Sequence, residues 1–269
     1  AGYDWQLQPR AEERIYARLA PLVLRMAAED YLELPELTYN NIYVDLPTAA
    51  AKVYDGLEQD LFAMLDKKVV TAANAGVASM KCRQVASGGL YLDPADELTP
   101  VFKAKKEWGN LHDAKVEALA DLVDELQGEP LLVAYDFQHD LDRLRARFGQ
   151  DVPVIGGGTS DKKAAELEAE WNAGRLPLLF GHPQSIGHGL NLQQAGRHVC
   201  WHTLTWDYEL YDQFIRRVYR QGNKARRVIV HHIVARGTID EVVLGTLKAK
   251  AKGQRALFDA LKELQNQRR

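Results

Sequence analysis

The chain has 269 residues, 46% of them hydrophobic and 26% charged, with a formal net charge of −3. That composition supplies one large or two modest cores and argues against disorder, and a charge so near zero excludes a general polyanion sponge, so contact with nucleic acid must be a local patch. The longest purely apolar runs, such as Leu131–Tyr135, are far too short to span a bilayer, and the opening AGYDWQLQPR lacks the apolar core and cationic flank of a signal peptide, so a cytosolic protein with no membrane contact is expected.

Residues 1–128 read mainly as helices. Apolar residues recur at helical spacing over 12–34 and again over 48–68, and between them TYNNIYVDLP (38–47) alternates as a strand that stops at Pro47. The stretch 88–110, with two prolines and a Gly-Gly pair, has no clear period and is expected to be a surface loop or boundary. A helix over 112–128 then ends at a glycine suited to a C-terminal cap. It leads into the apolar run PLLVAYDF (130–137), and from there strands and helices alternate: helix 138–149, strand 152–157, helix 161–174, strand 176–181, a glycine-rich loop, strand 198–202, helix 208–222 and strand 226–235. Such alternation implies right-handed crossovers and a parallel sheet covered by helices on both faces. Only Cys82 and Cys200 occur, with no CxxC pair, which fits free thiols in a reducing compartment.

In a parallel sheet of this kind ligands sit at the carboxyl ends of the strands. The loop SIGHGLNLQ (Ser185–Gln193) lies at such an end, yet it is no phosphate fingerprint: GxxxxGK[ST] occurs nowhere in the chain, and Gly187-x-Gly189 continues to Leu192 where a dinucleotide loop needs glycine. A second feature follows. Residues 213–228 hold six cationic side chains and no carboxylate. On a helix running to 222, Gln213, Arg217 and Arg220 fall on one stripe with Arg216 at its margin, opposite an apolar side formed by Leu210, Tyr211, Phe214, Ile215 and Val218. Such a stripe is either a solvated basic face or an anion site, and the planar guanidinium fork suits phosphate oxygens. His198, Cys200 and His202 share one face of a strand, but with no fourth ligand nearby they read as a buried strand side rather than a zinc site, and His231 and His232 alternate across a strand. KAKKEW around Lys103 reads equally as a DNA contact or a solvated basic loop.

QFIRRVYRQGN resembles motif VI of the superfamily-two helicases in its Swi/Snf form, Q-x-x-x-R-x-x-R-x-G-Q, with Asn223 in place of the last glutamine. SIGHGLNLQQAGRHVCWHTLTWD is similar to motif V and its following strand, and RRVIVHHIVARGTIDEVVLGTLKAK to the closing strand and helix. LAPLVLRMAAEDYLELPE resembles the segment that leaves the first motor lobe, and MKCRQVASGG the helix written L-R-Q-x-x-x-x-P. The matches keep the family's order over nearly the whole chain, and the wording GHGLNLQ looks most like compact phage and prophage members. Three departures stand out: His182–Pro183 replace a Ser-Thr pair, Met26 stands where a second arginine is common, and no Walker lysine is present, so Asp136 reads as a strand-end residue rather than a magnesium ligand.

The resemblance implies the second RecA-like lobe of an ATP-driven DNA translocase: a three-layer α/β lobe over 111–247, preceded by a helical Swi/Snf-type segment over 1–110 and followed by a C-terminal helix over 248–269. By that likeness Arg217 and Arg220 are arginine fingers, and Gln213, Gly187, Gly189 and Asn191 contact ATP. Ser185, His188 and Gln193 touch the DNA backbone without reading sequence. ATP and Mg²⁺ would be held mainly by an N-terminal RecA-like lobe, the implied partner, and the chain alone is expected to be inactive. The other class of function left open is a non-catalytic module that binds nucleic acid or protein.

Overall fold

The computed structural model describes residues 33–66, 72–92, 107–186 and 189–266, with Arg14 and Arg18. Of the helix expected over 12–34, Arg14 and Arg18 are helical, while Met26 lies outside the described residues, as do Lys103, Gly187 and His188. Residues 34–247 form one compact unit, and residues 1–33 with 248–269 form another.

The chain runs β1 (Glu36–Val44), α1 (Thr48–Asp66), α2 (Ala72–Ser87), β2 (Gly89–Tyr91), β3 (Trp108–Asn110), α3 (Ala114–Leu126), β4 (Leu131–Ala134), α4 (Gln138–Phe148), β5 (Val154–Ile155), α5 (Asp161–Asn172), β6 (Leu178–Gly181), α6 (Pro183–Ile186), β7 (His198–Trp201), α7 (Tyr208–Ile215), β8 (Arg227–Ala235) and α8 (Ile239–Asn266). The main sheet has the order β1-β8-β7-β4-β6-β5, every pair parallel. A sheet buried on both faces needs continuous apolar strands. β4, sequence LLVA, is buried throughout and divides its residues: Leu132 and Ala134 pack with Trp171 of α5, Phe214 of α7 and Val243 of α8. Leu131 and Val133 pack instead with Leu119 and Leu122 of α3 and Leu144 of α4. The expected α/β architecture with helices on both faces is therefore present.

The helix starts carry polar caps. Ser160 accepts from the Lys163 amide at 3.3 Å to begin α5, and Asp207 accepts from the amides of Glu209 and Leu210 at 2.9 and 3.1 Å to begin α7. At the end of α3 the left-handed residue is Gln127 (φ 49°), with Gly128 following it at φ 90°.

The surface loop expected over 88–110 requires correction at its ends. β2 and β3 pair antiparallel, Gly89 to Asn110 and Tyr91 to Trp108, and both glycines are buried. Gly88 has φ +114°, and a Cβ there would meet the His112 carbonyl oxygen at 2.2 Å and the Arg143 guanidinium at 2.1 Å. The Gly-Gly pair is thus a site of close backbone approach rather than a solvent turn.

A buried polar cluster joins α2, α4 and the end of β7. Asp140, fully buried, accepts from the Ser87 hydroxyl, from Thr203 Oγ1 at 2.9 Å and from the Phe137 amide at 3.1 Å, with Arg143 Nη2 at 3.2 Å. Burial pushes this carboxyl up, but His139, His202 and Arg143 hold it well below the usual carboxylate range. Nearby, Lys115 and Asp240 form a buried pair at 2.5 Å that ties α3 to the start of α8.

Acid should weaken this fold through its buried histidines. Burial lowers His112 and His198 and pushes His231 to about 4 and His202 to about 3. His202 and His231 stay neutral in the folded chain well below the pH of about 6.5 at which the unfolded chain takes up protons, and His112 and His198 act in the same direction, at up to about 1.4 kcal/mol per pH unit per group. Their contribution is complete above that pH and is lost as pH falls toward the folded values. The thermal midpoint is expected to be several degrees lower at pH 5 than at pH 7.5; an unchanged midpoint would contradict it.

Candidate nucleotide and nucleic-acid site

After β6 the chain makes the short helix α6 and then the loop 189–197 that leads to β7. Gly189 adopts φ +80° with open space around it, so the backbone turns where a side chain would be strained. From Leu190 onward the loop is hydrogen-bonded on two sides. Arg217 Nη1 donates to the Leu190 carbonyl at 3.3 Å, the Leu192 amide donates to the Arg217 carbonyl at 3.0 Å, and Arg220 Nη1 donates to Asn191 Oδ1 at 2.5 Å. The two arginines of the family pattern therefore meet on one loop, together with Asn191.

The helix that carries them is shorter than its periodicity implies. α7 ends at Ile215, and Arg217 and Arg220 stand in the turns that follow, so the single helical stripe of Gln213, Arg217 and Arg220 is corrected. Past Ile215 the bonds tighten, the Arg217 amide donating to the Phe214 carbonyl at 3.2 Å and the Val218 amide to the Ile215 carbonyl at 3.0 Å; the helix does not resume, since the Leu192 amide takes the Arg217 oxygen and Asn223 Nδ2 takes the Val218 oxygen at 2.9 Å. Arg217 is half-buried and Arg220 exposed. Burial and the like charge of Arg220 lower the Arg217 guanidinium from its ordinary value, although it remains cationic at neutral pH. Two cations this close form a site that an anion would stabilise. Arg216, by contrast, is exposed and paired with Asp212 at 2.6 Å. Gln213 Nε2 donates to Glu209 at 3.0 Å, away from the loop.

A second feature lies at the carboxyl ends of β4, β5 and β6, where a cavity of about 580 Å³ opens between Tyr135, Asp136, Arg145, Thr159, His182 and Ser185, with glycines 156–158 on its wall. A Cβ on Gly156 would meet the Tyr135 hydroxyl at 2.4 Å, so glycine is what lets the two strands' ends close together. Asp136 is held by Arg83, whose Nη2 also donates to the Leu204 carbonyl at 2.5 Å, which fixes this carboxylate as a strut between α2 and the end of β4. Arg145 has no carboxylate partner among the described residues, and its Nε is buried without an acceptor.

The expected residues thus separate into two groups. Arg217, Arg220 and Asn191 come together, with Gly189 at the loop's entrance and Gln193, half-buried, farther along it; Ser185 belongs to the cavity. Gly187 and His188 lie outside the described residues. Arg145 and the glycine run were not foreseen, although GGGTS between a strand and the Ser160 cap is the kind of segment that lets an anion approach backbone amides. Of the discounted histidines, His198 Nδ1 lies 3.0 Å from His231 Nε2, and His232 Nε2 bonds the Tyr211 hydroxyl at 2.8 Å, so the pair 231–232 faces opposite ways. Among the described residues no three His, Cys, Asp or Glu side chains are grouped to hold a metal, and no helix is long and apolar enough to cross a membrane.

Comparisons with known proteins bear on the fold that carries these residues. Residues 114–222 match the family described as helicase conserved C-terminal domain. Protein p41 of Acyrthosiphon pisum secondary endosymbiont phage 1 is 37% identical over 268 residues, which cover 97% of this chain and 55% of p41. The CHD3-type chromatin-remodeling factor PICKLE of Arabidopsis thaliana is 22% identical over 249 residues, 88% of this chain and 18% of its own length. The chain therefore spans about half or less of these relatives. Among solved structures, the C-terminal part of the Fun30 ATPase domain superposes with a TM-score of 0.61 at 15% identity, covering 86% of this chain and 99% of that one. The Sulfolobus solfataricus SWI2/SNF2 ATPase core in complex with dsDNA gives 0.57 at 22% identity, covering 87% of this chain and 49% of that one.

Proposed function

We propose that the chain, whose residues 114–222 match the helicase conserved C-terminal domain family and whose fold is that of SWI2/SNF2 ATPase C-terminal lobes, is the second half of an ATP-driven DNA translocase or helicase motor. The observation that carries this reading is the convergence of Arg217 and Arg220 on the loop at Leu190 and Asn191, which holds two cations at one site. In the motor these arginines face the terminal phosphate of ATP supplied from a first RecA-like lobe, and they balance the charge that develops there. The Gly189–Asn191 backbone borders the same site, and Gln213 joins it only if nucleotide draws its side chain from Glu209. Mg²⁺ enters with the nucleotide and is held mainly by the first lobe.

DNA is gripped through its phosphates at the cavity, where Arg145 supplies the cation, and Thr159 and Ser185 supply hydroxyls. The S. solfataricus structure contains dsDNA, which supports a duplex as the ligand of the whole motor. Two consequences can be measured by titrating DNA of unrelated sequences into the motor at several salt concentrations. Affinity should fall steeply with salt for every sequence, and Arg145→Ala should weaken binding about fivefold to tenfold and reduce the logarithmic salt slope by about one. A flat salt response, or a strong preference for one sequence, would instead indicate base readout and a different kind of protein.

A further inference from the structure

Helix α5 also bonds to the loop at 190–196. Glu168 Oε1 accepts from the Asn191 amide at 2.9 Å. Asn172 uses both ends of its side-chain amide: Nδ2 donates to the Asn191 carbonyl at 2.7 Å, and Oδ1 accepts from the Gln194 amide at 3.2 Å. Between them Trp171, fully buried, donates its indole N–H to the Leu192 carbonyl at 2.8 Å, and its ring lies so close to Gly196 that a Cβ there would stand 2.3 Å from Cζ2. Asn191 is therefore fixed at its amide, its carbonyl and its side chain at once, and the side-chain partner is Arg220.

We propose that Glu168 and Asn172 are positioning residues for Arg220, acting through Asn191: α5 sets the backbone of Asn191, and Asn191 Oδ1 sets the guanidinium. The inference rests on the reading of Arg220 as part of the nucleotide site. The chemistry required at each position differs. Position 168 needs only an acceptor, so glutamine serves as well as glutamate. Position 172 needs a donor and an acceptor at one fixed reach; aspartate there would turn a carboxylate toward the Asn191 carbonyl and lose the donor. A displaced catalytic cation lowers the rate of the chemical step more than the binding of substrate, because its contribution is largest in the transition state.

The test uses the two-lobed motor and reads kcat and KM for ATP at saturating DNA, DNA affinity, and the thermal midpoint. Asn172→Ala, Asn172→Asp and Glu168→Ala should each lower kcat about tenfold while KM and DNA affinity stay within about threefold. Glu168→Gln should restore kcat to within about twofold of the parent. In an Arg220→Ala background Asn172→Ala should cause little further loss, since both act on one group. If Asn172→Ala proves unfolded, the two Glu168 variants decide alone, that side chain being only partly buried on the helix surface. Full activity of the alanine variants beside an inactive Arg220→Ala motor would overturn the positioning role and leave the functional reading standing, as would losses that multiply in the double variant. If the parent motor shows no DNA-stimulated hydrolysis, or Arg220→Ala is fully active, the functional reading fails first and the positioning role with it.

Discussion

Arg220→Ala in the two-lobed motor is expected to lower kcat by on the order of 10³-fold while the fold and DNA binding are preserved. Arg220 is exposed and its one described hydrogen bond reaches the side chain of Asn191, so its removal opens no cavity in the core. On the proposed reading, what is lost is a cation aimed at charge that appears only as the phosphoryl bond breaks, and arginine fingers contribute about 10³ to 10⁵ in rate. Arg217→Ala should be as inactive but less clean. Its guanidinium is half-buried and holds the Leu190 carbonyl, so its thermal midpoint should fall as well. Arg216→Ala is the internal control, since that side chain is paired with Asp212 on the surface of α7. Equal loss in Arg216→Ala, or a large fall in the melting point of Arg220→Ala without a selective loss of kcat, would make the cationic cluster structural.

The largest effect on stability is expected at Asp140. Asp140→Ala removes the acceptor shared by Ser87, Thr203, the Phe137 amide and Arg143, and it leaves the Arg143 charge inside the protein. Arg143 is only 5% exposed and keeps hydrogen bonds to the Ser87 and His112 carbonyls, and the one other carboxylate described near it, Asp113 at 3.5 Å, is exposed and a poor substitute. Breaking one partner of a buried charged pair costs about 3–5 kcal/mol. For a chain of this size that is a fall of about 6–20 °C in thermal midpoint. Since the cluster joins α2 to α4 and the end of β7, the loss should appear as cooperative unfolding of the 34–247 unit. A cost below about 1 kcal/mol would show that water compensates Arg143 and that the cluster contributes little.

Much of the sheet was legible because strands such as β4 and β6 are apolar throughout and the helices carry punctuation: Ser160 and Asp207 mark starts, and Gly149 and Gly174 lie just past ends. What sequence could not show is where tertiary contacts override local preference. The helix period continues through Val218 and Tyr219, yet α7 stops at Ile215 and does not resume, because Leu192 and Asn223, distant in sequence or beyond the helix, capture the carbonyls of Arg217 and Val218. The Gly88–Gly89 pair looked like a turn because its neighbours, Arg143 and the His112 carbonyl, come from other elements. Arg217, Arg220 and Asn191 were visible as motif residues, but their meeting on one loop was not. Arg145 was hidden altogether: on α4 it is one of three arginines, and only the strand ends facing it reveal a cavity.

Whether this chain supplies half of a motor is decided by measuring ATP hydrolysis with and without DNA for the purified 269-residue chain and for the same chain joined to a first RecA-like lobe with its Walker lysine. No GxxxxGK[ST] occurs in these residues, so the chain alone should show no DNA-stimulated turnover, and joining the lobe should restore it in a form that Arg220→Ala abolishes. DNA-stimulated turnover by the chain alone that survives repurification would mean that it is not half of a motor.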